Sequence, residues 1–256
     1  MKTSNILFSA AIITAILSIR FSDSWGGVQM TTDNKPVNTT SNLWLKIYDL
    51  KITQELPKPV KHLKFLGNGN RISLSIEENE DPRLFSRTPQ AFTYAIHADT
   101  LVIDVIHDYA FIVLKQAVPV EQITLHQVRL DASGFNQEEL SVNVQKESHF
   151  SIASDWRDQE KTRNITYLDI YATDRSSVNL GRLKVNTASA TIENSVLNYD
   201  PNIKVDSLFA TLHGRSTVLS NDRHVVNEVK NIIISGNKQY FKKEFAGKGV
   251  RIMAQD

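Results

Sequence analysis

The sequence predicts an all-β protein, built in large part from stacked β-rungs. Three observations carry this expectation. From residue 43 onward, short runs rich in Val, Ile, Leu, Thr, Phe and Tyr alternate with polar turns. No stretch of adequate length shows helical spacing with caps. In the second half, apolar alternation followed by a serine recurs at close to 20-residue intervals. At 256 residues, one main folded unit is the starting expectation, since all-β folds of this size often form a single domain.

Composition removes several function classes. Lys and Arg total 29 against 28 for Asp and Glu, so no concentrated basic charge points to nucleic acid. The absence of cysteine removes disulfides, thiolate metal sites, cysteine nucleophiles and a cysteine-anchored lipid.

Residues 1–24 are expected to be a signal peptide or signal anchor. Lys2 precedes an apolar run over residues 6–19, the pattern of an export address. Fourteen helical residues span about 21 Å, short of a hydrocarbon core of about 30 Å, which favours cleavage. Ser22 and Ser24 form a small-x-small pair before Trp25, whereas Arg20 directly after the run keeps membrane anchoring through residues 6–19 open. Either way the protein is expected outside the cytoplasm. Residues 25–42 are polar, with Gly26, Gly27 and Pro36, and read as a flexible linker. A single domain is expected over residues 43–256.

The first strands fall at residues 43–52, 72–76, 92–96, 101–106 and 111–114. Asn68-Gly69, within GNGN, is the best local hairpin or tight-turn signal of this half. Residues 77–81 (EENED) and Pro82 form an exposed loop. Further on, Leu140, Val142 and Val144 lead to Ser148, Phe150 and Ile152; Leu168 and Ile170 lead to Ser177, Val178 and Leu180; Val205, Leu208, Ala210 and Leu212 lead to Ser216 and Val218. Ser177, Ser195, Ser216 and Ser235 are 18, 21 and 19 residues apart, the neighbourhood of one solenoid rung. The longer step from Ser148 to Ser177 fits a loop inserted at one corner over residues 155–164. Inward side chains then form apolar ladders, and the serines hydrogen-bond at a corner rather than acting as nucleophiles.

Residues 180–219, LGRLKVNTASATIENSVLNYDPNIKVDSLFATLHGRSTVL, resemble the putative auto-transporter adhesin head (GIN) domain family of bacterial envelope proteins. The likeness is clearest over residues 122–235 and extends through HLKFLGNGNRISLSI and DTLVIDV. The resemblance implies a right-handed parallel β-helix-like fold with an extracytoplasmic place, and carries over no functional residues.

No G-x-S-x-G elbow, phosphate-binding loop, dinucleotide fingerprint or H-E-x-x-H helix is present. Ser235-Gly236-Asn237-Lys238 fits S-x-x-K without its companion motifs. The histidines at 62, 97, 107, 126, 149, 213 and 224 lack paired metal-ligand spacing, and Glu77, Glu78, Glu80 and Asp81 lack the pattern of a calcium loop. No catalytic residue, metal site or cofactor is expected. Trp156, in the charged segment with Asp155, Arg157, Asp158 and Glu160, is the candidate ligand contact, since an aromatic in an exposed loop stacks on a sugar or anchors a protein. Asp99-Thr100-Leu101 and Asp206-Ser207-Leu208 match a short bacterial O-glycosylation pattern, making Thr100 and Ser207 candidate acceptors. The expected function is non-enzymatic binding, adhesion or scaffolding, toward a glycan or an envelope protein. The alternatives are a carbohydrate-active β-helix enzyme, which needs convergent carboxylates on one face, and an envelope lipid-transport component, which needs an open apolar groove.

Overall fold

The backbone hydrogen bonds of this chain go into strand pairing, and that pairing is predominantly parallel. The computed structural model describes residues 53–152, 164–226 and 228–254. The segments expected to be an export address (1–24), a linker (25–42), a strand (43–52) and a corner loop with Trp156 (155–164) lie outside them, save Asn164 at the end of the last. Gln54–Asp256 forms a compact unit. Its described residues are nearly all β, without an α-helix, and join one 17-stranded sheet that does not close on itself.

Pairing follows a regular scheme. A long strand and a short strand make one tier, and each pairs with its counterpart in the next. The long strands β8 (Gln137–Gln145), β10 (Asn164–Ala172), β12 (Lys184–Glu193), β14 (Lys204–His213) and β16 (Val229–Gly236) pair in parallel in that order. The short strands β9 (His149–Ile152), β11 (Ser177–Leu180), β13 (Val196–Tyr199) and β15 (Thr217–Ser220) do likewise. In the amino-terminal part the two halves of a tier run on as single strands: β7 (Gln122–Ser133) pairs with both β8 and β9. On its other side lies β2 (His62–Glu77).

Chain order and tier order diverge at β2. Its far side pairs in parallel with β5 (Thr100–Val105) and β6 (Tyr109–Lys115), so the chain passes beyond β2 before returning to β7. The end of the sheet is closed off by antiparallel strands, β3 (Arg83–Ser86) on β6 and β4 (Phe92–His97) on β5. Ahead of them is β1 (Thr53–Glu55). Acidic residues 77–81 form the exposed β2–β3 connection, where Asn79 Oδ1 accepts from the Asp81 N–H at 3.0 Å.

Register turns the apolar alternation into continuous inward columns. Leu101, Leu63, Ile123, Val142, Ile170, Ala190, Ala210 and Ile234 follow one another tier by tier, each at most 1% exposed. Fully burying one such Val, Leu or Ile contributes about 1.5–3 kcal/mol, so the core rests on many similar increments. The inward phase breaks once in each of β10, β12 and β14. Ile165 and Leu168 are both buried, as are Val185 and Ala188 and Val205 and Leu208, each pair with two residues between that are not buried.

Three expectations are corrected. Asn68-Gly69 does not make a hairpin: it sits inside β2, where the register shifts between Leu66 and Asn70. Gly69 takes φ +81 there, and Asn70 Oδ1 accepts from the Asn68 N–H at 2.6 Å. The true hairpin joins β4 to β5 through Ala98 and Asp99, with Ala98 at φ 54, a turn without the glycine that would announce it. The serine column is Ser148, Ser176, Ser195 and Ser216, all at most 1% exposed. Ser177 is displaced by one and pairs with His149 and Val196, while Ser235 lies opposite Thr211 on β14.

These serines hold one corner. Ser195 Oγ accepts from the Ser176 N–H at 3.1 Å and donates to the Glu193 carbonyl at 2.8 Å. Ser216 Oγ donates to the His213 carbonyl at 2.5 Å and accepts from the Ser195 N–H at 3.4 Å; Ser148 Oγ accepts from the Val128 N–H at 3.3 Å. The corner turns through positive φ at Lys146 (54), Glu147 (60), Asp174 (57), Arg175 (61), Asn194 (48) and Gly214 (61), ahead of these serines, and at Gln127 (54), ahead of Val128. At the carboxyl end, Tyr199 donates its buried hydroxyl to the Ala246 carbonyl, and Arg223 lies 4.2 Å from the Phe245 ring centroid. The tail thus caps β15, and β17 (Arg251–Ala254) adds one more parallel strand beyond β16, a strand the sequence reading did not expect.

Candidate binding face

The long strands present their alternate side chains outward in aligned rows. On β10 the row reads Tyr167, Asp169, Tyr171; on β12, Thr187, Ser189, Thr191; on β14, Ser207, Phe209, Thr211. Tyr167 is 52% exposed, Tyr171 40% and Phe209 45%. The small β12 row therefore forms the floor of a trough between taller neighbours. Its length from Thr187 to Thr191 is about 13 Å at about 3.3 Å per residue, and two tiers separate its walls by about 10 Å. A groove of about 280 Å³ opens at its β8 side, lined by Glu121, Glu139, Tyr167, Asp169, Thr187 and Ser189 among others.

The electrostatics of this face are one-sided. From Glu139, Tyr167, Thr187 and Ser207 onward, the outward residues of β8, β10, β12 and β14 include the carboxylates of Glu139, Asp169 and Glu193 and neither lysine nor arginine. Glu121, at the margin, is held by Lys61 Nζ at 2.6 Å. The Lys61 ammonium is correspondingly pushed up from its ordinary value by its hydrogen bond to Glu121.

Ser207, one sequence-predicted site, lies on this face of β14, half-buried, aligned with Thr187 and Asn231. Its neighbour Asp206 bonds Lys230 Nζ at 2.5 Å, which holds the carboxyl below the usual carboxylate range. Thr100 opens β5, half-buried, opposite His62 and His97. The structure does not bring Thr100 and Ser207 together. Trp156 and its charged neighbours fall in the segment that is not described. The residues the sequence reading missed are Tyr167, Tyr171 and Phe209; their signal was alternation, which places an aromatic directly beside a buried Leu, Ile or Ala on the outward side.

Two other clusters stand apart from this face. His149 Nδ1 and Ser177 Oγ are 2.6 Å apart on the short-strand face. The carboxylate near them, Asp131, is bonded to Arg71 at 2.8 Å, and no hydrogen bond among the described residues orients the ring as a general base requires. Burial lowers the His149 pKa, with Arg129 and Arg71 adding to the effect against Asp131. The pair is best read as a strand-to-strand contact. At the positive-φ corner, Lys146, Glu147, Asp174, Arg175 and Arg215 line a groove of about 660 Å³ with mixed charges, where Arg175 pairs with Glu147. Ser235 of the S-x-x-K match bonds Thr211 Oγ1 at 3.0 Å within the sheet.

No family model matches the chain, and no curated protein matches it. Solved structures are similar at low identity. A putative adhesin from Bacteroides fragilis is 12% identical with a TM-score of 0.49, over 79% of this chain and 93% of that one. A putative adhesin from Parabacteroides merdae is 10% identical with a TM-score of 0.42, over 80% and 95%. A putative cell adhesion protein from Clostridium sporogenes is 13% identical with a TM-score of 0.22, over 80% and 98%.

Proposed function

We propose that this chain is a non-enzymatic binding or adhesion protein of a bacterial cell envelope. In this reading the tiers are the irregular rungs of a right-handed parallel β-helix-like solenoid of the GIN type, exported through residues 1–24. The observation that carries it is the outward face of β10, β12 and β14, where exposed aromatics and hydroxyls stand on a rigid sheet whose other side is fully packed. Large exposed aromatics on a rigid platform serve recognition, since they add contact area at low entropy cost. Lipid carriage would need the interior to open, and its columns are filled by their own side chains.

Two measurements test the proposal. A fusion of residues 1–41 to a reporter that works only outside the cytoplasm should be active, and a reporter retained in the cytoplasm would remove the export half. The full chain should co-sediment with an insoluble bacterial envelope fraction, and failure to do so would remove the binding half.

A carbohydrate-active enzyme is the second reading, favoured by the carboxylates of Glu121, Glu139 and Asp169 around one groove. Glu121 is engaged by Lys61, and removal of charge should separate the cases. Release of reducing ends from a polysaccharide that stops in Asp169→Asn would establish the enzyme instead.

A further inference from the structure

We infer that the trough over β12 binds a neutral glycan chain lying along the strand. The inference deepens the binding reading above by naming the ligand class and the residues. Its floor is three hydroxyls, Thr187, Ser189 and Thr191, each able to donate and to accept, spaced two residues apart along the strand. One wall offers Tyr167 and Tyr171, the other Phe209, all exposed. Rings of this kind cover the C–H faces of sugars, while hydroxyls at the floor satisfy the sugar's polar rim. Phe209 has Ile233 beside it in register, 7% exposed, so this wall is not an isolated side chain.

Charge selects the ligand. Asp169, in the Tyr167 wall, accepts hydrogen bonds from sugar hydroxyls, as does Glu139 beside Tyr167 in register. With carboxylates and neither lysine nor arginine on these rows beyond Lys184 and Lys204, a polyanion such as a uronate polymer is repelled. A peptide finds less here, because the backbone groups of β12 are already paired to β10 and β14 and offer no free edge for strand addition. The flanking tiers keep the geometry in place without a ligand, so binding orders little beyond the aromatic side chains.

The test is affinity electrophoresis of the full chain in native gels containing a soluble mixed-linkage β-glucan, a xylan or a galactomannan, with polygalacturonate as the acidic comparison. At least one neutral polymer should retard the protein, and polygalacturonate should not. Tyr167→Ala with Phe209→Ala should weaken that retardation by about tenfold or more, the worth of about 1.4 kcal/mol of lost ring contact. Tyr109→Ala, which removes an equally exposed ring (45%) from β6, should leave it unchanged, and circular dichroism should show all variants folded. Retardation by none of the neutral polymers, retardation by polygalacturonate alone, or equal loss in Tyr109→Ala would overturn the inference. If the double variant still co-sediments with the envelope fraction at full strength, this site is wrong while the binding reading stands.

Discussion

At the scale of single residues, the serine corner distinguishes a partner from a passenger. Ser195 Oγ is bonded on both sides, to the Ser176 N–H and the Glu193 carbonyl, whereas Ser176 Oγ is buried without a partner among the described residues. Ser195→Ala should therefore cost about 1 kcal/mol by leaving the Glu193 carbonyl short of a donor, and Ser176→Ala should be neutral or slightly stabilising. Urea unfolding of the two variants checks the contrast. The serine spacing was legible in the sequence, but its register was not. Ser176-Ser177 is a tandem pair, and only the turn at Asp174 and Arg175 decides which serine points inward. His149 gives a pH signature at the same scale. Burial holds its folded pKa below the unfolded value of about 6.5, so the unfolded chain takes up this proton first as pH falls. Its contribution is fully present above that value and is lost as pH drops toward the folded pKa. Lowering pH from about 7.5 to about 5.5 should thus destabilise the wild type more than His149→Gln, measured as the difference in urea midpoint between the two pH values. His126, lowered chiefly by burial and then by Lys146 and Lys64, adds a component of the same sign that the variant retains.

At the scale of the element, strand phase is the feature the sequence announced most clearly. Leu183 and Val185 face inward at 5% and 1% exposure, while Lys184 and Asn186 face water, as alternation required. Val185→Asp should cost several kcal/mol, on the order of 3 or more, through a buried unpaired charge, whereas Asn186→Asp should stay within about 0.5 kcal/mol. Equal sensitivity in thermal unfolding would mean the phase is misplaced. The serine corner was far less legible, because its residues at positive φ are Gln127, Lys146, Glu147, Asp174, Arg175 and Asn194, with glycine only at Gly214. Each left-handed L-residue costs about 1–2 kcal/mol, partly offset because glycine would lose more entropy on folding. Exposed Gln127 offers a clean probe: Gln127→Gly should raise stability by about 0.5–1 kcal/mol in urea unfolding. At Gly214 the logic reverses, since a Cβ would come within 2.2 Å of Asn194 Oδ1, an atom already accepting from the Arg215 N–H. The candidate face itself was hidden for a related reason. Trp156 stood out as a large aromatic in a charged loop, while Tyr167, Tyr171 and Phe209 looked like ordinary strand residues until register aligned their rows.

At the scale of the whole unit, stability is distributed along the tiers. Steps between paired long strands are 28 residues from β8 to β10 (Ile165 opposite Gln137), 20 from β10 to β12 and from β12 to β14, and 24 from β14 to β16. The surplus in the first step falls between Ile152 and Asn164, where the sequence placed an inserted loop, and that in the last falls before Val229. Both lie at the same point of the repeat, so added length leaves the paired strands undisturbed. The passage of β5 and β6 to the far side of β2 was not legible, because nothing in local pattern says on which side of an existing strand the next will pair. Tiering keeps damage at one end local, since each tier contacts only its neighbours. Deleting residues from Asn231 onward removes most of β16, all of β17 and the cap on Tyr199 and β15, and bares the edge of β14. Circular dichroism with size-exclusion chromatography of this truncated chain tests the stacked architecture, and with it the face built on it, most directly. The account predicts that most of the β signal persists in a protein that self-associates through the bared edge. Cooperative loss of the β signal, with no folded oligomer recovered, would contradict it, because that is how a closed sandwich or barrel responds to losing a strand.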